Sequence, residues 1–155
     1  MEMKDSVMIP ADRQLVWEAL NDPETLRQCI PGCEELEMLT PTELRAQVLL
    51  KIGPIKARFA GAVALSELDP PNSYVLSGEG KGGVAGMAKG AARVTLGEAE
   101  DGQTLLEYNA RVDVGGKVAQ LGSRLLDSTA KKLTRKFFED FSEIVSRKAV
   151  VANER

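Results

Sequence analysis

From Glu34 to Val114 apolar and polar residues alternate with a period of two, and from Lys117 to about Lys148 the spacing becomes that of a helix. The alternating region predicts six strands: Glu34 to Leu39, Glu43 to Ile52, Ile55 to Leu68, Tyr74 to Gly80, Ala88 to Glu98, and Gln103 to Val114. Thr40-Pro41, Gly53-Pro54, Asp69-Pro70-Pro71-Asn72, the glycine-rich Lys81 to Met87, and Asp101-Gly102 separate them as turns. A further strand, Lys4 to Ile9, precedes this meander, and Pro10 and Asp12 then announce a helix carrying Leu15, Val16, Ala19 and Leu20 at helical spacing. The lone tryptophan, Trp17, rides on it. Asp22 is placed as an N-cap with Pro23 at the first helical position, which starts a second short helix to about Gln28. Pro31-Gly32 ends it, because a residue before proline is pushed out of the helical region. The expected class is α+β: seven antiparallel strands, two short helices after the first, and a long closing helix in one domain over 1-148. Residues 149-155 are expected to form a short tail.

The inward positions of this sheet are unusual because many carry no bulk. Ala46, Ala57, Gly61, Gly78, Gly80, Gly90, Ala92 and Ala110 fall in phase with Val48, Phe59, Val63, Leu76, Val94, Tyr108 and Val112. Since protein interiors are filled to crystal-like density, either the closing helix is pressed close to the sheet or a cavity holds something else. On the cavity reading, Leu50, Phe59, Val63, Leu76, Val94, Tyr108 and Val112 face Leu121, Gly122, Leu125 and Leu126 on the first turns of the helix. Val48, Gly61, Gly78, Ala92 and Ala110 complete that lining, and a Gly122→Phe substitution would fill its mouth. An apolar lining with one phenol suits a hydrocarbon better than a sugar or nucleotide. Phe137, Phe138, Phe141, Ile144 and Val145, farther along the helix, read as ordinary core.

Gly78, Gly80 and Gly83 match G-x-G-x-x-G, but a strand pattern follows where a dinucleotide site needs a helix. Gly82, Gly83, Gly86 and Met87 are therefore expected either as a mobile lip at the cavity mouth or as a bulged hairpin bend.

Charge and composition remove several classes. Lys and Arg number 20 against 23 Asp and Glu, a formal net charge of −3, so nothing favours a polynucleotide partner. The 155 residues suffice to bury roughly 70% of the unfolded surface in one core without a metal or disulfide. Cys29 and Cys33, spaced C-x3-C, lack the further ligands of a zinc site and read as reduced structural thiols, so no metal and no bound cofactor are expected. The chain contains no histidine, which takes away the commonest general base and any Ser-His or Cys-His pair. Neither a signal-peptide pattern nor an apolar run of about 20 residues is present, which leads to the expectation of a soluble, cytoplasmic protein. Lys117, Arg124, Lys131, Lys132, Arg135 and Lys136 make the first half of the closing helix basic. That face is either simply solvated or meets anionic lipid or an acidic partner.

The order of elements is similar to the helix-grip arrangement of the START and Bet v 1 superfamily (SRPBCC), in which a curved antiparallel sheet wraps the last helix. Five local motifs narrow the likeness: Cys29-Ile30-Pro31-Gly32-Cys33-Glu34; Gly53-Pro54-Ile55-Lys56-Ala57-Arg58-Phe59-Ala60-Gly61; Gly78 to Gly83 with Gly86 to Gly90; Gly116 to Arg124; and Phe137-Phe138. In that order they resemble the carbon monoxide dehydrogenase G-subunit family over nearly the whole chain. Members of that family are typically encoded beside molybdenum hydroxylases, are regarded as accessory proteins, and have been linked to membrane attachment and to quinone or other isoprenoid lipids. The resemblance thus implies a non-enzymatic accessory protein with a quinone or isoprenoid in the grip cavity, molybdenum hydroxylase subunits as partners, and peripheral contact with the inner face of the cell membrane. The chain departs from members with a longer membrane-attaching tail, since only Ser146 to Arg155 follow Val145. Two alternatives stand beside this: a docking or maturation module without ligand, and a cyclase or hydrolase acting on a hydrophobic substrate.

Overall fold

The structure is a computed structural model and describes residues 1–153. Strand β1 (Glu2–Ile9) leads into helices α1 (Arg13–Leu20) and α2 (Pro23–Cys29), and six strands follow. These are β2 (Cys33–Thr40), β3 (Glu43–Ile52), β4 (Ile55–Asp69), β5 (Ser73–Lys81), β6 (Met87–Glu98) and β7 (Thr104–Gly115), closed by α3 (Ser123–Asn153). The sheet order is β1-β7-β6-β5-β4-β3-β2, with every pair antiparallel. Only β1 leaves sequence order, pairing with the last strand, so α1 and α2 carry the chain from one sheet edge to the other. This is the helix-grip arrangement expected from the order of elements.

Local chemistry accounts for the helix starts. Asp12 caps α1, its Oδ1 accepting the Leu15 amide at 2.9 Å. Asp22 takes the extended backbone of an N-cap but does not cap with its side chain. Its carboxylate instead accepts the Thr25 hydroxyl at 2.7 Å and the Lys148 ammonium at 3.4 Å, which fastens α2 to the far end of α3. The Thr25 hydrogen bond, with Lys148 after it, holds the Asp22 carboxyl below its ordinary range. Beside the Asp12 cap at the start of α1, Arg13 Nη2 reaches Glu98 at 3.3 Å, and the buried Thr104 hydroxyl donates to the Ala11 carbonyl at 2.7 Å.

The closing helix differs from its expected bounds. Lys117–Leu121 forms a separate 3₁₀ turn, and Gly122, at φ +92°, breaks it from α3. The helix then continues through 149–153, where a tail was expected, and Ala149 packs against the core. Glu154 and Arg155, the last of the expected tail, lie outside the described residues.

Two apolar clusters hold the molecule. In the larger, Ile9, Val16, Trp17, Tyr74, Leu106, Phe141 and Val145 join α1, the sheet and the second half of α3. The smaller gathers Phe59, Ala85 and Val118, with Val48, Leu50, Ile52 and Val114 packed around it, at the opposite end of the sheet. Between the clusters the inward face is only half-buried, and the site is there.

Candidate ligand cavity

The ladders set out the floor of the cavity in rows. One runs Val63, Gly78, Gly90, Val112; the next Leu65, Leu76, Ala92, Ala110, Met3; the third Tyr74, Val94, Tyr108, Asp5. The first two rows are low in the middle of the sheet, and that makes a hollow. A Cβ added at Gly61 would meet only the Ala46 and Glu79 carbonyl oxygens, at 3.7 and 3.8 Å, and one at Gly80 only Phe59 Cβ at 4.0 Å. These two lie in the adjoining row. At Gly78 and Gly90, in the first row, an added Cβ would meet neighbouring strands first, the Ala62 carbonyl oxygen at 3.2 Å and the Arg111 carbonyl oxygen at 2.5 Å. At none of the four are the nearest atoms those of α3, so close approach of the helix, the competing explanation, does not account for them.

Above the second and third rows lies an apolar chamber of about 310 Å³. Helices α1 and α2 supply Leu20, Asn21, Leu26 and Ile30 to its wall; β1, β2 and β3 supply Met3, Met38 and Leu44. From β4 to β7 come Val63, Leu65, Tyr74, Leu76, Ala92, Val94, Leu106 and Tyr108, and α3 contributes Thr134, Phe137 and Phe138. The lining carries no charged side chain. Two of its polar groups are occupied locally: Asn21 Nδ2 donates to the Trp17 carbonyl at 2.9 Å, and Thr134 Oγ1 donates to the Ala130 carbonyl at 2.8 Å. Burial pushes the Tyr74 phenol well above its ordinary pKa, and its ring stands edge-on to Trp17 at 5.4 Å. Tyr108 is also raised, first by burial and then by the nearby Asp5 carboxylate, and its ring stacks on Phe138 at 5.8 Å. Both phenols are therefore neutral hydrogen-bonding groups at neutral pH.

Tyr108 and Phe138 also border a second hollow of about 650 Å³, between β1 and α3. Met3 and Thr134 are shared as well, so chamber and hollow adjoin. The hollow carries the charge the chamber lacks: Glu2, Lys4, Asp5, Lys131, Arg135, Glu139 and Ser142 line it together with Val7.

Of the expected cavity residues the structure brings Val63, Leu76, Ala92, Val94 and Tyr108 together in the chamber. Gly61, Gly78, Ala110 and Val112 lie on the same half-buried face without bordering it. Val48, Leu50 and Phe59 belong to the smaller apolar cluster. Leu121 and Gly122 fall in and just after the 3₁₀ turn, while Leu125 packs on the β3–β4 turn, its Cδ2 2.7 Å from where a Gly53 Cβ would stand. Leu126 borders neither hollow. Gly122 is exposed with nothing within 4 Å of a Cβ there, so Gly122→Phe would not fill this chamber.

The loop expected as a cavity lip sits elsewhere. A Gly82 Cβ would fall 2.5 Å from the Phe59 ring, Ala85 is buried against Phe59 and Val118, and Gly86 presses on the Gly115 carbonyl. Gly82, Gly83, Gly86 and Met87 thus form a hairpin bend clasping the smaller cluster, and none borders the chamber. Phe137 and Phe138, read as plain core, line it. The walls from α1 and α2 had no local signal, because they reach the site only through the chain's crossing between sheet edges.

Cys29 is buried and its thiol pushed up to about 11, mainly by burial; Cys33 is raised for the same reason. Among the described residues no cluster of His, Cys, Asp or Glu could hold a metal ion, and no helix is long and apolar enough to cross a membrane.

Comparison with known proteins bears on the site. The family model for the carbon monoxide dehydrogenase G-subunit (CoxG) matches residues 6–146. No curated protein matches the chain. A crystal structure of a conserved protein from Geobacillus kaustophilus is similar at 29% identity and TM-score 0.90, over 95% of this chain and 96% of that one. A START superfamily protein from Mycobacterium smegmatis is similar at 16% identity and TM-score 0.71, over 94% and 97% of the two chains. The Zhui aromatase/cyclase from Streptomyces sp. R1128 shares the fold at 14% identity and TM-score 0.63, over 96% and 94%.

Proposed function

Because the chain belongs to the carbon monoxide dehydrogenase G-subunit (CoxG) family, we propose that it is a non-enzymatic accessory protein that carries a quinone or other isoprenoid lipid in its chamber. It would serve a molybdenum hydroxylase in the cytoplasm, at the inner face of the membrane, and link that enzyme to the electron-transport chain. The observation that carries this reading is the chamber of about 310 Å³ with no charged side chain in its lining. Such a site gains affinity from hydrocarbon, about 0.8 kcal/mol for each buried methylene before the cost of association is subtracted. It offers a charged substrate no partner.

The same lining supports carriage over catalysis. Its polar groups are Asn21 and Thr134, each bonded to its own backbone, and two phenols with raised pKa. None has an ordinary pKa near neutrality, where general acid and base catalysts work best. Native mass spectrometry of freshly purified protein, followed by organic extraction, tests the reading. A stoichiometric quinone or isoprenoid supports it; an empty chain that also refuses added quinones leaves a docking module in its place.

A further inference from the structure

We propose that the hollow between β1 and α3 is a head-group vestibule: it seats the oxygen-rich, hydrogen-bond-accepting head of an amphiphile whose apolar part fills the chamber. This rests on the chamber taking a ligand, and it adds which end of that ligand faces out. Four residues border both spaces, Met3, Tyr108, Thr134 and Phe138, so one molecule can occupy the two together. Polarity changes at that seam. On the chamber side no side chain is charged, whereas the hollow is lined by charged groups from both β1 and α3.

The arrangement of those groups selects the head. Lys131 and Arg135 lie one helical turn apart on the same side of α3, a like-charged spacing that does not help the helix itself. Among the described residues neither comes within 4 Å of a carboxylate oxygen, although Glu2, Asp5 and Glu139 line the same hollow. By contrast Lys136, on the neighbouring side of the helix, is bonded to Asp140 at 2.9 Å. Three cations, Lys4, Lys131 and Arg135, and the Tyr108 phenol therefore offer donors where the apolar wall ends, beside the three carboxylates Glu2, Asp5 and Glu139. A carboxylate, a phosphate and a quinone carbonyl all present acceptor oxygens to such donors. In the reverse orientation the head would find only the Tyr74 and Tyr108 phenols to donate to it and no charged group.

Size argues the same way. At about 310 Å³ the chamber stands at the lower limit of small-molecule sites, roughly 300 Å³, so a long isoprenoid or acyl chain with its head cannot be enclosed whole. The head then remains at the surface between β1 and α3, where a redox partner can reach it without release of the carrier's cargo.

Calorimetry on the full chain with three probes that share a ten-carbon alkyl tail tests this: undecanoate, decylubiquinone and decyltrimethylammonium. The first two should bind more tightly than the cationic probe by about tenfold, the size expected of two part-exposed charge contacts. In the double variant Lys131→Glu with Arg135→Glu, undecanoate should lose that advantage and the cationic probe should gain. Lys132→Glu with Lys136→Glu, outside the hollow, should leave the order unchanged. Equal binding of all three probes to the unaltered protein, or an order indifferent to the first double variant in a protein of unchanged thermal stability, would overturn the vestibule while keeping the chamber. Failure of every probe to bind would overturn the chamber and the vestibule with it.

Discussion

Replacing Ala92 by phenylalanine asks directly whether the hollow over the middle of the sheet is empty. Ala92 sits on β6 between Leu76 and Ala110 in the ladder and borders the chamber. Phenylalanine suits a strand, so the backbone does not object. At about 310 Å³ the chamber holds roughly ten times the 30 Å³ share of a water molecule, which leaves room for the ring. Full burial of a phenylalanine side chain contributes about 1.5–3 kcal/mol. With one side of the chamber open, about half of that, near 1 kcal/mol, is the expected gain in the ligand-free protein. For a domain of this size it corresponds to a rise of about 2–4 °C in Tm. The same ring removes the space for hydrocarbon, so uptake of decylubiquinone should fall to the limit of calorimetric detection. Stability up and binding down is the signature of a filled cavity. A well-packed interior would respond with the opposite sign, since overpacking costs about 1–3 kcal/mol. A variant with lowered Tm in thermal denaturation and unchanged uptake would refute the reasoning from the small-residue rows.

Other expectations follow from the two clusters and the α2 fastening. Phe141→Ala empties a fully buried position where α3 meets the sheet and should cost about 3–5 kcal/mol in urea denaturation; a loss below about 1 kcal/mol would place the larger cluster elsewhere. Asp22→Asn weakens the tie to Thr25 and Lys148, and because that site is part-exposed the loss should stay near or below about 1 kcal/mol at pH 7. Since the Asp22 pKa is lowered on folding, its contribution is present above the unfolded value near 4 and fades as pH falls through the folded value, so the variant should show a flatter acid limb. Cys29 behaves in the opposite sense. Its folded pKa of about 11 lies above the ordinary 9.0, so its contribution is intact below pH 9 and is lost as pH rises toward 11. The loss is at most about 2–3 kcal/mol at 1.36 kcal/mol per unit, and Cys29→Ala should remove this alkaline slope.

What sequence alone determined here is whatever the backbone settles locally. A period of two places alternate side chains on opposite faces wherever a strand runs, so the strands lie within a residue or two of their expected ends. For the same reason Val63, Leu76, Ala92, Val94 and Tyr108 could be assigned to the inward face and to a cavity. The loss of bulk along that face was equally visible, and with it the choice between a close helix and a hole. Tertiary structure decided which, and where along the strands. The hole lies between the larger cluster, which holds the second half of α3, and the smaller one, which packs the 3₁₀ turn before the helix, and no local period encodes that placement. Residues of one phase therefore divided: Val48, Leu50 and Phe59 went to the smaller cluster, while the next rows opened into the chamber. Gly122 ended the expected continuous helix through a positive φ that Gly122 permits but does not announce. Phe137 and Phe138 had the apolar character of core on any helix, and only the crossing of α3 over Tyr108 turned them into a cavity wall. The hollow with charged walls beside them joins β1 to α3, elements more than a hundred residues apart, and so exists only once the sheet has closed around the helix.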